Sequence, residues 1–158
     1  MVKKPGKNKI LIVEDEPFLV EMYKTRFEQE GYDVAIALSG ATVSTTMKEN
    51  KPDLVLLDLI MPEVDGYQVL QEVKSINSIK DVPVLIFSNL AQEEEIEKGF
   101  EYGADDYFVK SNYIPSQIVE KVEKMIKQKK GKKKTATSKK KPKAKKPVKK
   151  KPTKKKSK

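Results

Sequence analysis

The chain has 158 residues, contains no cysteine and no histidine, and carries a formal net charge of +10 at pH 7. Its length suits a single domain with a real core. Without cysteine or histidine, a disulfide framework, a thiolate or imidazole metal site, and Ser-His-Asp or Cys-His catalysis within the chain are all excluded. Because no apolar run approaches the length of a membrane span or a signal peptide, we expect a cytoplasmic protein without a membrane span.

The two signs of charge are segregated along the sequence. Residues 127–158 contain 19 lysines and no acidic residue, which leaves 14 basic residues against all 23 acidic residues in 1–126. The terminal segment also has repeated prolines and almost no apolar residue, a composition typical of disorder. We therefore predict a flexible N-terminus over 1–8, a folded domain over 9–128 and a disordered basic tail over 129–158, with room for the last helix to run one turn into the tail.

Five short apolar runs recur along the folded part, and each is continuous rather than alternating. Continuous runs of this length are typical of strands that are buried on both faces of a parallel sheet. The five predicted strands are Ile10–Val13, Val34–Ala37, Leu54–Leu57, Val84–Phe87 and Tyr107–Val109.

A helical pattern of apolar residues follows each predicted strand. The residues that mark the five helices are Phe18, Met22 and Phe27, then Val43 and Met47, then Val69, Leu70 and Val73, then Ile96 and Phe100, and finally Ile118, Val119, Val122, Met125 and Ile126. Gly31 and Gly103 are predicted to end the first and fourth helices. Pro115 is predicted to lie in the first turn of the fifth helix, where its missing N–H costs nothing. Five alternations predict a doubly wound α/β fold, (βα)5, with helices on both faces of a parallel sheet.

Polar side chains follow four of the predicted strands, at the sheet edge where open α/β folds bind ligands. They are Glu14 and Asp15 after the first strand, Asp58 after the third, Ser88 after the fourth and Lys110 after the fifth. Clustered carboxylates without imidazole or thiolate favour Mg²⁺, and lysine pairs with phosphoryl oxygens. An aspartate at such a site can attack phosphorus. Because an unpaired buried carboxylate is costly, we expect the metal and Lys110 to offset the burial of Asp58.

Four motifs occur in order over about residues 8–126: ILIVEDE, DLVLLDLIMPEVDG, VLIFSN and GADDYFVKS. In these motifs the sequence resembles the receiver domain of bacterial response regulators, particularly the single-domain chemotaxis type. The resemblance implies a flavodoxin-like sheet with strand order 2-1-3-4-5. It also implies a signalling protein of a two-component system rather than an enzyme. Its partners would be a sensor histidine kinase or phosphotransfer protein and an unknown downstream protein.

The resemblance assigns roles to the acidic residues. Asp58 would accept the phosphoryl group. Asp15, Asp58 and the backbone carbonyl of Ile60 would ligate Mg²⁺, and Glu14 would act on the metal through water. The site would therefore need the metal as its cofactor.

The resemblance also assigns roles to three residues on the fourth and fifth strands. Ser88 and Lys110 would bind phosphoryl oxygens. Movement of Ser88 toward the phosphate would let Tyr107 turn inward. This turn would reshape the face formed by the fourth helix, the fifth strand and the fifth helix.

The sequence departs from the family pattern at several positions. Ser111 replaces the proline that usually follows the lysine, and this leaves open whether the Lys110–Ser111 peptide is cis or trans. Asn89 stands where the family usually has a small residue. Ile60 and Leu90 are bulky and apolar and flank the expected water route, which predicts slow spontaneous dephosphorylation.

Each site residue also has a purely structural interpretation when it is considered alone. The acids at 14 and 15 can cap the first helix, and Asp58 can serve a turn. Ser88 can be an ordinary loop residue, Tyr107 a core residue and Lys110 a solvated charge, so the site prediction rests on their joint spacing. The glutamates at 93–95, 97 and 101 form either a solvated helix face or a docking patch, for example for the basic tail.

Three functions remain open from the sequence. The first is a signalling module that is switched by phosphorylation, and the second is a nucleic-acid-associated protein whose tail binds polyanions by counterion release under receiver control. The third is a degenerate receiver that serves as a scaffold. A haloacid-dehalogenase-type phosphatase is disfavoured because the second acid that it needs is replaced by Ile60. A flavodoxin-type cofactor site is disfavoured because the segment EDEP at 14–17 repels phosphate unless a cation intervenes.

Overall fold

The computed structural model describes residues 8–135 of the chain. The strands are β1 (Lys9–Val13), β2 (Asp33–Ala37), β3 (Leu54–Leu57), β4 (Val84–Ser88) and β5 (Asp106–Val109). The helices are α1 (Pro17–Gln29), α2 (Val43–Asn50), α3 (Gly66–Ser75), α4 (Glu93–Glu101) and α5 (Pro115–Thr135), and short 3-10 turns lie at Gly40–Thr42 and Lys110–Asn112. Residues up to 123 form one compact unit, and the described part of a second unit consists of the last turns of α5.

The five strands form one parallel sheet in the order β2-β1-β3-β4-β5. The predicted (βα)5 fold and its strand order are therefore confirmed. The chain adds strands on one side of β1 and then on the other, so the direction of winding reverses between β1 and β3. In open sheets of this kind, the crevice beyond the carboxyl ends of the strands at the reversal is where ligands bind.

The central strands supply most of the core. All four residues of β3 and all five of β4 are buried, whereas β2, at the edge of the sheet, keeps partly exposed side chains. Because helices cover both faces of the sheet, side chains on both faces of β3 are buried, and the sequence of this strand is an uninterrupted apolar run.

The predicted helix ends are confirmed at several places. Gly31 and Gly103 have φ angles of 95° and 107°, a left-handed region that favours glycine after a helix. Pro115 begins α5, and the backbone N–H of Ile114 donates to Oε1 of Gln117 at 2.9 Å. This bond is the half of a capping box in which a side chain from the first turn of the helix accepts the N–H of the capping residue.

Two apolar residues that marked predicted helices do not face the core. Phe18 is 72% exposed and Phe100 is 46% exposed, although both lie in the helices that they predicted. The buried residues of α1 are Val20, Tyr23 and Phe27, which share one face at the spacing i, i+3 and i+7. Phe18 lies in the first turn, outside this stripe.

The tail prediction concerns residues that the structure describes only in part. Helix α5 runs to Thr135 and therefore includes residues 129–135, at the start of the predicted tail. Residues 1–7 and 136–158, on which the predictions of a flexible N-terminus and a disordered tail fall, lie outside the described residues. Within 8–135, no helix is long and apolar enough to cross a membrane.

Candidate functional site

The sheet register brings the polar residues after the strands to one edge. Val13 is paired with Leu57, and the backbone N–H of Asp58 donates to the carbonyl of Val13 at 3.1 Å. Glu14 and Asp58 therefore follow their strands at the same level. On the other side of β4, Ser88 is paired with Val109, so Lys110 leaves β5 directly beyond Ser88.

Three carboxylates meet at this edge. Glu14 and Asp58 are buried and Asp15 is half-buried, and one oxygen from each lies within 4.8 Å of the other two. Three like charges at this spacing repel one another unless a cation lies between them. Because all the side-chain donors are carboxylate oxygens, the cluster fits Mg²⁺, a hard cation that prefers oxygen ligands.

Lys110 supplies one positive charge to this cluster. Its Nζ lies 2.7 Å from Oε1 of Glu14 and 3.4 Å from Oδ2 of Asp58, and its side chain is 14% exposed. One ammonium beside three carboxylates leaves two negative charges uncompensated. This remainder matches the charge of a divalent cation.

The pKa of Asp58 is raised, chiefly because burial disfavours its charged form. The nearby Lys110 ammonium lowers this pKa, and the Glu14 carboxylate raises it. The backbone N–H of Ile60, 3.3 Å from Oδ1, lowers it further, but burial outweighs both lowering effects. A bound divalent cation would act in the same direction as Lys110 and favour the ionised carboxylate.

Ser88 and Tyr107 are both buried beside the acidic cluster. The backbone N–H of Leu90 donates to Oγ of Ser88 at 3.2 Å, and the hydroxyl of Tyr107 donates to the carbonyl of Leu90 at 2.7 Å. The ring of Tyr107 thus faces inward in this structure. Burial raises the pKa of Tyr107, and the nearby hydroxyls of Ser88 and Tyr67 lower it.

The structure settles the geometry of the peptide after Lys110. No peptide bond between residues 8 and 135 is cis, so the Lys110–Ser111 bond is trans. The chain continues from there into the 3-10 turn Lys110–Asn112. The ammonium reaches Glu14 and Asp58 from this trans backbone.

Sequence reasoning did not identify Tyr67 and Glu95 as a pair. The hydroxyl of Tyr67 lies 2.7 Å from Oε1 of Glu95 and 2.8 Å from the carbonyl oxygen of the same residue. Glu95 is half-buried, whereas the other acids of that helical segment are exposed. The only sequence signal was the position of Tyr67 directly after the Asp65-Gly66 turn, which caps α3 through a bond from the Tyr67 N–H to Asp65 Oδ1.

Known proteins share the sequence pattern of this chain. Residues 10–123 match the response regulator receiver domain family. The DNA-binding dual master transcriptional regulator RpaA of Synechocystis sp. is 37% identical over 102 residues, which are 65% of this chain and 42% of that protein. The DNA-binding response regulator MtrA of Mycolicibacterium smegmatis is 32% identical over 122 residues, 77% of this chain and 52% of that protein. The chain spans about half the length of these curated relatives.

Solved structures share the fold. The receiver domain of a Francisella response regulator is 28% identical, superposes with a TM-score of 0.71, and matches 78% of this chain and 99% of that one. The family match covers most of the folded part of the chain, and the strand order and the acidic edge agree with it. The chain therefore belongs to the response regulator receiver domain family, the receiver domains of two-component systems.

Proposed function

We propose that this chain is a phosphoacceptor that takes a phosphoryl group on Asp58 from a sensor histidine kinase or a phosphotransfer protein. Phosphorylation of Asp58 uses Mg²⁺ as cofactor, and it then reshapes the face formed by α4, β5 and α5. One observation carries this proposal: a buried carboxylate, two further carboxylates and one ammonium converge at the carboxyl edge of the sheet. For this role we expect a cytoplasmic location.

The transfer requires an ionised Asp58. One carboxylate oxygen attacks phosphorus, the bond between phosphorus and the imidazole nitrogen of the donor breaks, and its electron pair returns to that nitrogen. The products are an acyl phosphate on Asp58 and a neutral imidazole that keeps the proton on its other nitrogen. Lys110 favours the reactive form because it lowers the pKa of Asp58.

Asp15, Asp58 and the backbone carbonyl of Ile60 would hold Mg²⁺, with Glu14 acting through water. The bound ion would neutralise charge on the cluster and on the incoming phosphoryl group. Lys110 would pair with a phosphoryl oxygen as a compact cation. Ser88 would donate to another, since its Oγ already accepts the N–H of Leu90 and its own hydroxyl hydrogen is left to donate.

The proposed switch uses the backbone of Leu90. This residue contacts Ser88 through its N–H and Tyr107 through its carbonyl. Movement of Ser88 toward a phosphoryl group would therefore be transmitted to the Tyr107 ring, which lies on β5. In this way occupancy of the site would alter the α4–β5–α5 face.

A phosphodonor protein must approach the sheet edge closely, and exposed apolar side chains surround that edge. Phe18, Leu38, Ile60 and Ile114 follow β1, β2, β3 and β5 in the chain, and each is more than half exposed. Complete burial of a fully exposed side chain of this kind contributes about 1.5–3 kcal/mol before the costs of association, and these partly exposed residues can contribute a part of that. We infer that some of them contact the phosphodonor.

Mass spectrometry of the intact protein tests the proposal. After treatment with acetyl phosphate and Mg²⁺, we expect a single phosphoryl adduct on the native chain and none on Asp58→Asn. An adduct that persists in Asp58→Asn would assign the chemistry to another residue. A native chain without an adduct would favour the degenerate scaffold instead.

A further inference from the structure

Tyr67 makes polar contact with a second helix. It lies in the first turn of α3, its side chain is buried, and its hydroxyl approaches both the carboxylate and the carbonyl oxygen of Glu95, in the first turn of α4. A hydrogen bond to a charged acceptor is stronger than one between neutral groups. The bond therefore ties the start of α3 to the start of α4.

The Tyr67 ring contacts the same face of α4 at two further points. The ammonium of Lys98 lies 4.4 Å from the ring centroid, and the ring of Tyr102 packs edge-on at 5.7 Å between centroids. Glu95, Lys98 and Tyr102 are spaced three and four residues apart, which places them on one side of the helix. Tyr67 thus contacts α4 along its length rather than at one end.

Two hydrogen bonds link Tyr107 to the phosphoryl-binding side of the site. Leu90 donates to Ser88 and accepts from Tyr107, at 3.2 and 2.7 Å. The Tyr107 hydroxyl gives its one proton to Leu90, and the Tyr67 hydroxyl gives its one proton to Glu95. The polar chain from Ser88 therefore ends at the Tyr107 ring, and the connection from this ring to Tyr67 passes through α4.

Helix α4 also packs directly on Tyr107. A Cβ atom built at Gly99 would lie 3.1 Å from Cδ2 of Tyr107 and 2.7 Å from Cδ1 of Ile86. Because a side chain at position 99 would press against this ring, the position of α4 and the position of the Tyr107 ring depend on each other.

We propose that Tyr67 is a positioning residue for the phosphoryl site, because its bond to Glu95 holds α4 against the buried ring of Tyr107. With the ring in this position, the Tyr107 hydroxyl bonds to Leu90, and the N–H of Leu90 orients the Ser88 hydroxyl. The inference rests on the proposed function of Asp58. Coupling between two sites is reciprocal. If phosphoryl binding strengthens the bond from Tyr67 to Glu95, loss of the Tyr67 hydroxyl weakens phosphoryl binding by the same factor.

Beryllofluoride affinity measured with Mg²⁺ on the full chain tests the inference. Tyr67→Phe is expected to bind the mimic about fivefold more weakly than the native chain, the lower end of typical coupling. Glu95→Ala is expected to lose less, because the carbonyl of residue 95 still accepts. Glu95→Gln is expected to lose less than Glu95→Ala, since its amide oxygen accepts the same bond but carries no charge.

Two further variants separate positioning from general stabilisation. Tyr102→Phe is the matched control: it removes a hydroxyl from the neighbouring ring, keeps the ring contact, and is expected to leave the affinity unchanged. In a Tyr107→Phe background the bond to Leu90 is lost, so the position of α4 no longer reaches Ser88 and Tyr67→Phe should have no further effect there.

The outcomes distinguish this inference from the proposed function. If the native chain binds beryllofluoride and Asp58→Asn does not, but Tyr67→Phe binds as tightly as the native chain, only the role of Tyr67 is overturned. The same conclusion follows if Tyr67→Phe weakens binding equally with and without the Tyr107 hydroxyl. A native chain that binds no beryllofluoride overturns both.

Discussion

The buried carboxylate of Asp58 destabilises the fold when no cation other than Lys110 is nearby. Burial raises its pKa above that of the unfolded chain, so the folded state holds the proton more tightly. The destabilisation is absent below the unfolded pKa, about 3.9. The destabilisation grows as the pH rises from the unfolded pKa to the folded pKa of Asp58, and it is complete above the folded pKa.

Asp58→Asn is therefore expected to stabilise the metal-free protein at neutral pH, because Asn is neutral and Lys110 keeps Glu14 at 2.7 Å as its partner. A gain of about 1 kcal/mol would raise the Tm by about 4 °C. Thermal melts in a chelator from acid to neutral pH check this. Asp65→Asn is expected to show no gain, because the Asp65 carboxylate is exposed and the Asn side-chain oxygen still caps α3. A gain that is largest in acid would contradict the sign of the pKa shift.

Mg²⁺ is expected to stabilise the native chain through the acidic cluster. A ligand at 100 times its Kd stabilises by about 2.7 kcal/mol. Asp15→Asn should lose most of this stabilisation, while Glu93→Gln, which removes an exposed acid from α4, should keep it. Melts with Mg²⁺ and with chelator measure the difference. An unchanged response in Asp15→Asn would show that the ion binds elsewhere.

The lifetime of the acyl phosphate depends on how water reaches it. Ile60, next but one to Asp58, is 56% exposed, and the half-buried Leu90 lies beyond Ser88; neither side chain can orient a water molecule. We expect Ile60→Asn with Leu90→Glu to shorten the lifetime by about tenfold or more, because both new side chains can hydrogen-bond a water molecule and the Glu carboxylate can act as its base. Decay of the phosphoryl adduct after removal of acetyl phosphate measures it, and equal lifetimes would refute the water-route hypothesis.

At the scale of elements, the strands were the most predictable part of the fold. The runs Leu54–Leu57 and Val84–Phe87 are uninterrupted because both faces of β3 and β4 are buried. Parallel strands end at one edge, so residues that follow them must converge there, and this is why Asp58 and Lys110 could be placed together from spacing alone.

The lateral contacts between helices were not predictable from local patterns. The bond from Tyr67 to Glu95 depends on how α3 and α4 lie side by side, which neither helix encodes by itself. The apolar face of α1 was also misjudged at Phe18, because an exposed apolar residue beside the stripe is indistinguishable in sequence from one within it.

The end of α2 stores backbone strain at a lysine. Lys51 caps the helix with φ 51° and ψ 61°, a left-handed conformation that favours glycine. Lys51→Gly is expected to raise the free energy of unfolding by up to about 1 kcal/mol, because it relieves a left-handed penalty of about 1–2 kcal/mol and this exceeds the entropic cost of glycine, about 0.5–1 kcal/mol. As the opposite control, Gly31→Ala at φ 95° is expected to lower it by about 1 kcal/mol or more. Urea denaturation measures both, and a destabilised Lys51→Gly would contradict the assigned strain.

At the scale of the whole molecule, the described residues form the receiver fold, and the lysine-rich segment lies largely beyond them. RpaA and MtrA are about twice the length of the matched region, so the match covers a receiver-domain part of such proteins and not their remaining halves. The chemotaxis type and polyanion binding by the tail stay predictions.

The central claim is that the acidic cluster, a divalent ion and Lys110 together let Asp58 carry a phosphoryl group. A crystal structure of the full chain with Mg²⁺ and beryllofluoride tests it most directly. The account predicts beryllium bonded to an Asp58 oxygen, the ion between Asp15 and Asp58, and fluorides contacted by Lys110 Nζ and Ser88 Oγ. An empty pocket under saturating beryllofluoride, or an ammonium turned away from the fluorides, would contradict it.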